Sequence, residues 1–323
     1  MPSTVLIITN EFDAHADAVV LELHKRNVSV FRFHPEDFPH ACSISIEIQN
    51  GSIEGEIATR HRTVAFKDIC AAWYRRPEGP FASSANANSL DLNDYVRAQS
   101  RATLNTLYEA LETFWVCQPS KLRRADIKAL QLAEASKAGL QTPQTLISNH
   151  PARAAAFVDS LGNADCAIKT LTLLGVGDQQ NFRFPLTTTL PKGHSLGSVA
   201  LAPTVFQPYI HKVAELRCVV IGEEIFTAKI NSQANESTRK DWRAGTCQYE
   251  PFSLPEQVQA AIHRLMGSFG INFASLDMIL TPEGEFVFLE LNPNGQWYWL
   301  EVELGLPLVQ SLADLLTTYH SST

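Results

Sequence analysis

This sequence predicts an α/β (α+β) fold of two or three domains, and three observations carry the prediction. Strand, helix and strand alternate at the start, the order that builds a parallel sheet with a right-handed crossover. The final third reads instead as antiparallel hairpins, in which apolar and polar residues alternate with period two. A length of 323 residues gives room for more than one substantial core.

Residues 4–9 form a short apolar run that reads as a buried strand. Residues 13–26 follow as a helix with apolar positions at Ala18, Val19, Leu21 and Leu23, and residues 28–33 as a second strand. The loop between them, Asn10-Glu11-Phe12-Asp13, lacks glycine and is a poor dinucleotide fingerprint. Residues 44–48 and 51–57 read as a hairpin around Asn50-Gly51. Residues 69–74 are another strand, ending in Arg75-Arg76-Pro77, where the arginines either meet an anion or form a solvated pair. A long amphipathic helix over 92–111 and a strand over 114–117 close a first domain, 1–120.

A second domain, 121–204, is expected to open with a helix that has Asp126 at or just inside its start and Gly139 as its stop. Residues 142–147 are extended, and a helix over 151–161 has proline in its first turn. Ala167-Ile168-Lys169-Thr170 then places a lysine inside an apolar strand. A buried lysine needs a partner, and a nucleotide phosphate would supply one. Residues 171–204, with Gly175, Gly177, Gly193 and Gly197, read as an irregular hairpin and loops.

The third domain, 205–323, begins in the extended segment 204–210, which leads into His211-Lys212. Strands over 216–221 and 225–230, joined at Gly222-Glu223, carry Arg217 and Lys229 in an undecided register. A polar loop over 241–245, a helix over 255–269 and a closing helix over 307–319 complete the chain.

The stretch that organises the rest runs from Asp277 to Trp299. Val287, Leu289 and Leu291 alternate with Phe286, Phe288, Glu290 and Asn292, as a strand requires. A two-residue turn at Glu283-Gly284 pairs Pro282 with Glu285 and, counting outward, Asp277 with Glu290. The same register sets Met278 opposite Leu289 and Leu280 opposite Val287. Glu290 and Asn292 share a face, so three oxygen-bearing groups converge, with facing Cβ atoms about 5 Å apart. Two buried carboxylates repel, so a partner must compensate them. An oxygen set without His or Cys suits a hard cation, and Mg2+ with a bound phosphate is the natural occupant. The competing reading is an edge hairpin whose acids are solvated.

Hydrophobic content of 45% and charged content of 19% describe an ordinary soluble protein. A net charge of −8 argues against a general nucleic-acid or anionic-membrane binder. Six scattered cysteines without a C-x-x-C pair fit free thiols in a reducing compartment. With no basic region before Val5 and no apolar run near a membrane span, the expected location is cytoplasmic.

A helix with Lys128, a strand with Lys169, the Gln207-Pro208-Tyr209-Ile210 connector, Arg217 and the Asp277…Glu290-Leu291-Asn292 hairpin resemble an ATP-grasp carboxylate–amine ligase. The resemblance covers about residues 120–323, and the first region resembles the Rossmann-like pre-ATP-grasp domain that commonly precedes this fold. Four further runs resemble the graspetide (microviridin-type) peptide macrocyclases: Tyr74-Arg75-Arg76-Pro77, Lys212-x-x-Glu215-Leu216-Arg217, Asp241-Trp242-Arg243 and Leu289-Glu290-Leu291-Asn292-Pro293-Asn294-Gly295-Gln296-Trp297.

The resemblance implies ATP and Mg2+ as cofactors. Lys128 and Lys169 would hold phosphates as point charges, the backbone around Gln207, Tyr209 and Ile210 would hold adenine, and Glu215 or Lys212 would lie near the ribose. Lys229 joins this nucleotide set. Asp277, Glu290 and Asn292 would bind the metal. Arg217, with Lys169 the expected catalytic pair, would neutralise an acyl phosphate, and Arg243 and Arg75 join Arg217 on the substrate side. The implied reaction phosphorylates an Asp or Glu side chain of a ribosomal precursor peptide, made of a leader and an acidic core. A Ser or Thr hydroxyl or a Lys amine of the same peptide then expels phosphate. Positioning and charge stabilisation supply the rate, and no protein nucleophile is required. Neither nucleic acid nor membrane is an expected partner, and the resemblance allows a homodimer. No acidic residue lies between Asp178 and Glu215, where microviridin-type relatives use acids to meet a leader arginine, so a different leader motif is expected.

Three other readings compete. Gly193-His194-Ser195-Leu196-Gly197 matches the G-x-S-x-G elbow of serine hydrolases, which needs a strand directly before it and a helix directly after. An ATP-grasp ligase adding a free amino acid such as glutamate to a protein or small molecule would share the nucleotide site. A non-catalytic nucleotide-binding regulator would be expected to lose metal ligands, and all three are present.

Overall fold

The computed structural model describes residues 3–80, 90–172, 187–191 and 193–318. Strand β1 (Thr4–Thr9), helix α1 (Ala14–Lys25) and strand β2 (Ser29–Phe33) form the expected unit, with β1 and β2 parallel and Val5 opposite Val30. Asp13 caps α1, its carboxylate accepting from the His15 and Ala16 amides. Strands β3 (Cys42–Gln49), β4 (Ser52–Thr59) and β5 (Thr63–Ala65) make a small antiparallel sheet. Its first turn puts Asn50 and Gly51 at φ of 54° and 82°, the two positive values a two-residue hairpin needs. Strand β6 (Ile69–Arg75), helix α2 (Leu90–Ala110) and strand β7 (Phe114–Trp115) complete a parallel sheet of order β2-β1-β6-β7. Every residue of β1 is buried because both faces of the sheet are covered. Leu6 and Ile8 pack with Leu104 and Leu107 of α2, and Val5 and Ile7 face the other way, toward α1.

Helix α3 (Pro119–Ala125) was not expected, and it corrects the reading of Asp126. Proline in the first turn starts α3, Asp126 ends it, and Ile127 is the N-cap of helix α4 (Lys128–Lys137). Lys128 is thereby the first residue of a helix. Both helices pack on the C-terminal part of the chain rather than on the strands that follow them. Strand β8 (Leu146–Ser148), helix α5 (Pro151–Ser160), strand β9 (Cys166–Lys169), strand β10 (Thr188–Thr189) and strand β11 (Thr204–Pro208) build an antiparallel sheet of order β10-β9-β11-β8 around a small core of Ala154, Cys166, Val199 and Phe206. Part of the expected irregular hairpin, 173–186 and residue 192, lies outside the described residues. Ser195 sits exposed in a loop followed by a 3-10 turn (Gly197–Leu201), which lacks the strand and α-helix that a nucleophile elbow requires.

Strands β12 (Ala214–Ile221), β13 (Glu224–Ile230) and β14 (Tyr249–Phe252), helix α6 (Glu256–Phe269) and strands β15 (Phe273–Leu280) and β16 (Phe286–Asn292) follow. They form a five-stranded antiparallel sheet of order β14-β13-β12-β15-β16. Helices α7 (Tyr298–Leu304) and α8 (Leu308–Thr317) end the fold. Leu312 and Leu316 of α8 belong to a core that also holds Val5, Ile7 and Trp73 of the parallel sheet and Leu216, Cys218 and Leu276 of the five-stranded one. The first and last parts of the chain thus share one core, and the β8–β11 sheet stands apart with its own. All six cysteines are free and buried. Burial pushes the Cys117 and Cys218 thiols up to about 12, which keeps them unreactive. Among the described residues no helix is long and apolar enough to cross a membrane.

Candidate active site

Strands β15 and β16 place Asp277 opposite Glu290, as the alternation predicts, but by a different route. The turn holds three residues, Pro282-Glu283-Gly284, because the Thr281 amide donates to the Glu285 carbonyl at 3.0 Å and Gly284 adopts φ 84°. Met278 therefore faces Phe288, not Leu289, and Leu280 faces Phe286, not Val287. A bulge between Asp277 and Met278 then takes up one residue, Leu289, and restores the expected pairing. The bulge also lets Leu289 and Glu290, adjacent in sequence, both line one cleft.

Strand β16 is a sheet edge, but its backbone is not left to water. Gln131 of α4 donates to the Leu291 carbonyl at 2.7 Å and accepts from the Leu291 amide at 3.0 Å. The acids are correspondingly enclosed, with Asp277 24% and Glu290 26% exposed, which disposes of the solvated-edge reading.

The cleft lies between the β8–β11 sheet and the five-stranded sheet. From the first come Lys169, Gln207, Tyr209 and Ile210; from the second, Glu215, Asp277, Ile279 and Glu290. Lys128 enters from α4, and Lys240, Asp241, Trp242 and Arg243 form a further wall. Apolar Leu132, Ile147, Val205 and Leu289 line the same space, so it presents a surface for an aromatic base as well as charges for phosphates. Gln207 is fixed by a bond to the Thr145 hydroxyl at 2.9 Å, and the Tyr209 amide by the Asp165 carbonyl at 2.7 Å.

Charge is unevenly satisfied here. The Lys128 ammonium meets Glu290 at 2.8 Å and Lys212 meets Glu215 at 2.7 Å. Lys169 has no hydrogen bond or ion pair among the described residues, and burial pushes its ammonium below the ordinary lysine value. Burial also pushes the Asp277 carboxyl up, against the pull of the Arg217 guanidinium, and the neighbouring Glu290 adds repulsion. Burial would raise Glu290 too, but the Lys128 ammonium, a hydrogen bond with Asp277 and the charge of Lys169 together hold that carboxyl below its usual range. Glu215 is pushed up by burial despite Lys212. Arg243 is gripped by both oxygens of Asp241, at 2.8 and 2.6 Å, leaving its outer edge half-exposed at the cleft.

Four expected residues lie elsewhere. Arg217 sits behind Asp277, bonding its Oδ1 at 2.8 Å and the Gln296 carbonyl at 2.9 Å. Asn292 stands beside Glu290, donating to Oε1 at 3.3 Å. Lys229 must be corrected: it is opposite Leu216 and pairs with Glu250 at 2.8 Å, on the face of β13 turned away from Arg217 and Asp277. Arg75 must also be corrected, because it is wholly buried and meets Asp13 and the turn after β16, with no side open to a substrate. Thr145, Asp241 and Trp242 line the cleft in addition to the expected site residues. Asp241 and Trp242 had a signal in the Asp241-Trp242-Arg243 run, whereas nothing in the sequence distinguishes Thr145.

Among the described residues no group of three or more His, Cys, Asp and Glu gathers to hold a metal. The donor set is two carboxylates and the Asn292 amide. Such a set fits Mg2+, which keeps several waters and relies on substrate phosphates for the rest of its shell.

The turn behind this pair is tightly packed. A Cβ on Gly295 would lie 2.5 Å from Ser275 Cβ and 2.9 Å from Arg217 Nη2. Gly295→Ala is therefore expected to destabilise the protein by about 1–3 kcal/mol. Thermal unfolding checks this, and an unchanged midpoint would show that the turn yields freely.

Two family models divide the chain. The MvdD pre-ATP grasp domain matches residues 4–123 and the RimK-like ATP-grasp domain residues 124–316. A probable alpha-L-glutamate ligase of Shewanella frigidimarina is 25% identical over 205 residues, which cover 62% of this chain and 65% of that protein. The chain thus spans less than two thirds of that relative's length. Solved structures extend further. A RiPP-associated ATP-grasp ligase of Chryseobacterium gregarium, in complex with ADP and a leader and core peptide, superposes with a TM-score of 0.90 at 27% identity, covering 98% of this chain and 97% of that one. Macrocyclase MdnC of Microcystis aeruginosa, bound with precursor peptide MdnA, gives 0.85 at 28% identity, over 98% and 99% of the two chains.

Proposed function

The chain belongs to the RimK-like ATP-grasp family, and from that premise we propose that it closes rings in a ribosomal precursor peptide at the expense of ATP. A side-chain carboxylate of an Asp or Glu in the peptide core takes the γ-phosphoryl group, giving an acyl phosphate and ADP. A Ser or Thr hydroxyl, or a Lys amine, of the same peptide attacks the acyl carbon. The nucleophile's proton is lost and phosphate leaves, so each link removes one water from the peptide.

The observation that carries this reading is Lys169, an ammonium set in the cleft with no hydrogen bond or ion pair among the described residues. A desolvated cation of this kind is matched by a phosphate. Lys128, at the first turn of α4, holds the same phosphates, and the Gln207–Ile210 edge holds adenine, with Lys212 and Glu215 at the ribose. Asp277, Glu290 and Asn292 hold Mg2+, which when bound offsets phosphate charge in the phosphoryl transfer. Arg217 brings a second positive charge behind Asp277, and Arg243 faces the carboxylate to be activated. The likeness of the whole chain to ligases solved with leader, core and precursor peptides supports a peptide as substrate.

The second reading, addition of a free amino acid, is favoured by the glutamate-ligase relative. ATP consumption separates the two. We expect it to be stimulated by a precursor peptide whose core combines Ser, Thr or Lys with Asp or Glu and unaffected by free glutamate; the reverse would reject the macrocyclase.

The acid pair gives a pH dependence whose sign is fixed. Asp277 is held above the ordinary carboxylate value, and a cation binds its ionised form. Mg2+ binding should therefore release protons, and its affinity should fall as pH drops through that raised value. Calorimetry in buffers of different ionisation enthalpy reads this directly; heats independent of buffer would remove Asp277 from the metal set.

A further inference from the structure

One buried network joins the first domain to the metal strand. Arg75, at the end of β6, is completely enclosed. It donates through Nη1 to the Asn294 carbonyl and through Nη2 to Gln296 Oε1 at 3.3 Å, and its Nε lies 3.6 Å from Asp13 Oδ2. Asp13 Oδ1 is in turn 3.3 Å from His15 Nδ1. The backbone amide of Trp297 donates to His15 Nε2 at 3.2 Å. An amide can only donate, so His15 Nε2 carries a lone pair and the ring proton sits on Nδ1, facing Asp13. Burial, which lowers the basicity of His15, favours that neutral form. The turn over residues 294–297 is thus pinned from the first domain at a carbonyl, a side-chain amide and a backbone N–H. On the side facing the acids, the Gln296 carbonyl accepts from Arg217 Nη2 at 2.9 Å while Arg217 Nη1 bonds Asp277. The corner that delivers Arg75 is itself constrained: Arg76 holds φ 42°, unusual for a residue before proline, and its carbonyl accepts from the Asn10 side chain at 3.3 Å.

We propose that Arg75, with Asp13 and His15, is a positioning residue for the ligation: it holds the 294–297 turn where the Gln296 carbonyl aims Arg217 at Asp277. The inference deepens the proposed function, since it takes Arg217 and Asp277 to serve that reaction. Arg75 touches neither the cleft nor any reacting atom and acts through the turn alone. A fork that grips two acceptors while facing a carboxylate is a task lysine does not perform, because its ammonium cannot span them in one plane. The first domain is thereby a fixed support for the metal site.

The test compares Arg75→Lys and Gln296→Ala with the unaltered protein, and adds Arg217→Lys and the Arg75→Lys/Arg217→Lys double variant. Gln296→Ala removes one acceptor on an exposed side chain and leaves the Arg75–Asp13 pair intact, so it folds even if Arg75→Lys does not. Hydrogen exchange at the Trp297 amide should quicken in both single variants. With a precursor peptide that stimulates the unaltered protein, kcat for ATP consumption should fall about 100-fold in Arg75→Lys, the loss expected of a catalytic group displaced by about 1 Å. KM for ATP should not change. Because Arg75 acts through Arg217, the double variant should be no slower than Arg217→Lys alone. Multiplicative losses, or unaltered Trp297 exchange in both single variants, overturn the proposal. If the unaltered protein consumes no ATP with the peptide, the proposed function fails instead, and Trp297 exchange alone decides the positioning role.

Discussion

Lys169→Met is expected to make the nucleotide-free protein more stable and, at the same time, to weaken ADP binding about 30- to 100-fold. The opposite signs share one cause. Without nucleotide the Lys169 ammonium sits desolvated in the cleft with no hydrogen bond or ion pair among the described residues, and burial pushes its pKa down. A methionine of similar length removes that unmet charge, which should raise stability by about 1 kcal/mol, a small figure because the side chain is only half-buried. The same change deletes a charge-assisted bond to phosphate, worth about 2–3 kcal/mol. The pH dependence follows. The unfolded chain holds the lysine proton more tightly than the folded one, so the folded protein gains stability as pH rises from the lowered value toward that of the unfolded chain. Lys169→Met should lack this gain. Thermal unfolding across alkaline pH, with and without ADP, measures all three effects. A variant that is less stable and binds ADP normally would show Lys169 to be a packing residue.

Glu290→Gln carries the largest expected loss, about 1,000-fold or more in kcat, from two losses that coincide. One of two carboxylates available to Mg2+ is neutralised, and the Lys128 ammonium, now 2.8 Å from Glu290, loses its partner. Shape is kept, so the fold should survive. ADP binding measured without Mg2+ should be intact or slightly tighter, since Lys128 is freed for phosphate. Weak binding in both the presence and absence of Mg2+ would show Glu290 to be structural.

Much of this was legible in the sequence, and the reasons are physical. Period-two alternation fixes which residues share a face, and it placed Asp277 opposite Glu290 although the turn was read one residue too short and the bulge was unseen. The two shifts of one residue cancel, so the pairing at the far end survived while Met278 and Leu280 each met a different neighbour. Lys229 shows the converse. A hairpin of undecided register does not say which face a residue takes, and one step in β13 turned Lys229 toward Glu250. Asp126 was misplaced because the same residue types end and begin helices, and only Pro119 marked the extra one. Strand β14 and helix α7 lacked the length or periodicity that announces an element; α7 is built on the Trp297-Tyr298-Trp299 run, whose aromatic character hides its helical pattern. Arg75 was beyond reach for another reason. Its hydrogen-bond acceptors, Asn294 and Gln296, lie more than 200 positions away in the chain, and a strand-end arginine looks the same whether it meets solvent, substrate or the protein itself.

The most direct test is mass spectrometry of the precursor peptide after incubation with this protein, ATP and Mg2+. The neighbouring small open reading frame should encode a core rich in Thr, Ser or Lys together with Asp or Glu. The peptide is predicted to lose one water mass for each link formed, and to keep its mass when Glu290→Gln replaces the unaltered protein. A peptide that instead gains the mass of an amino acid would contradict the account and make the chain a free-amino-acid ligase.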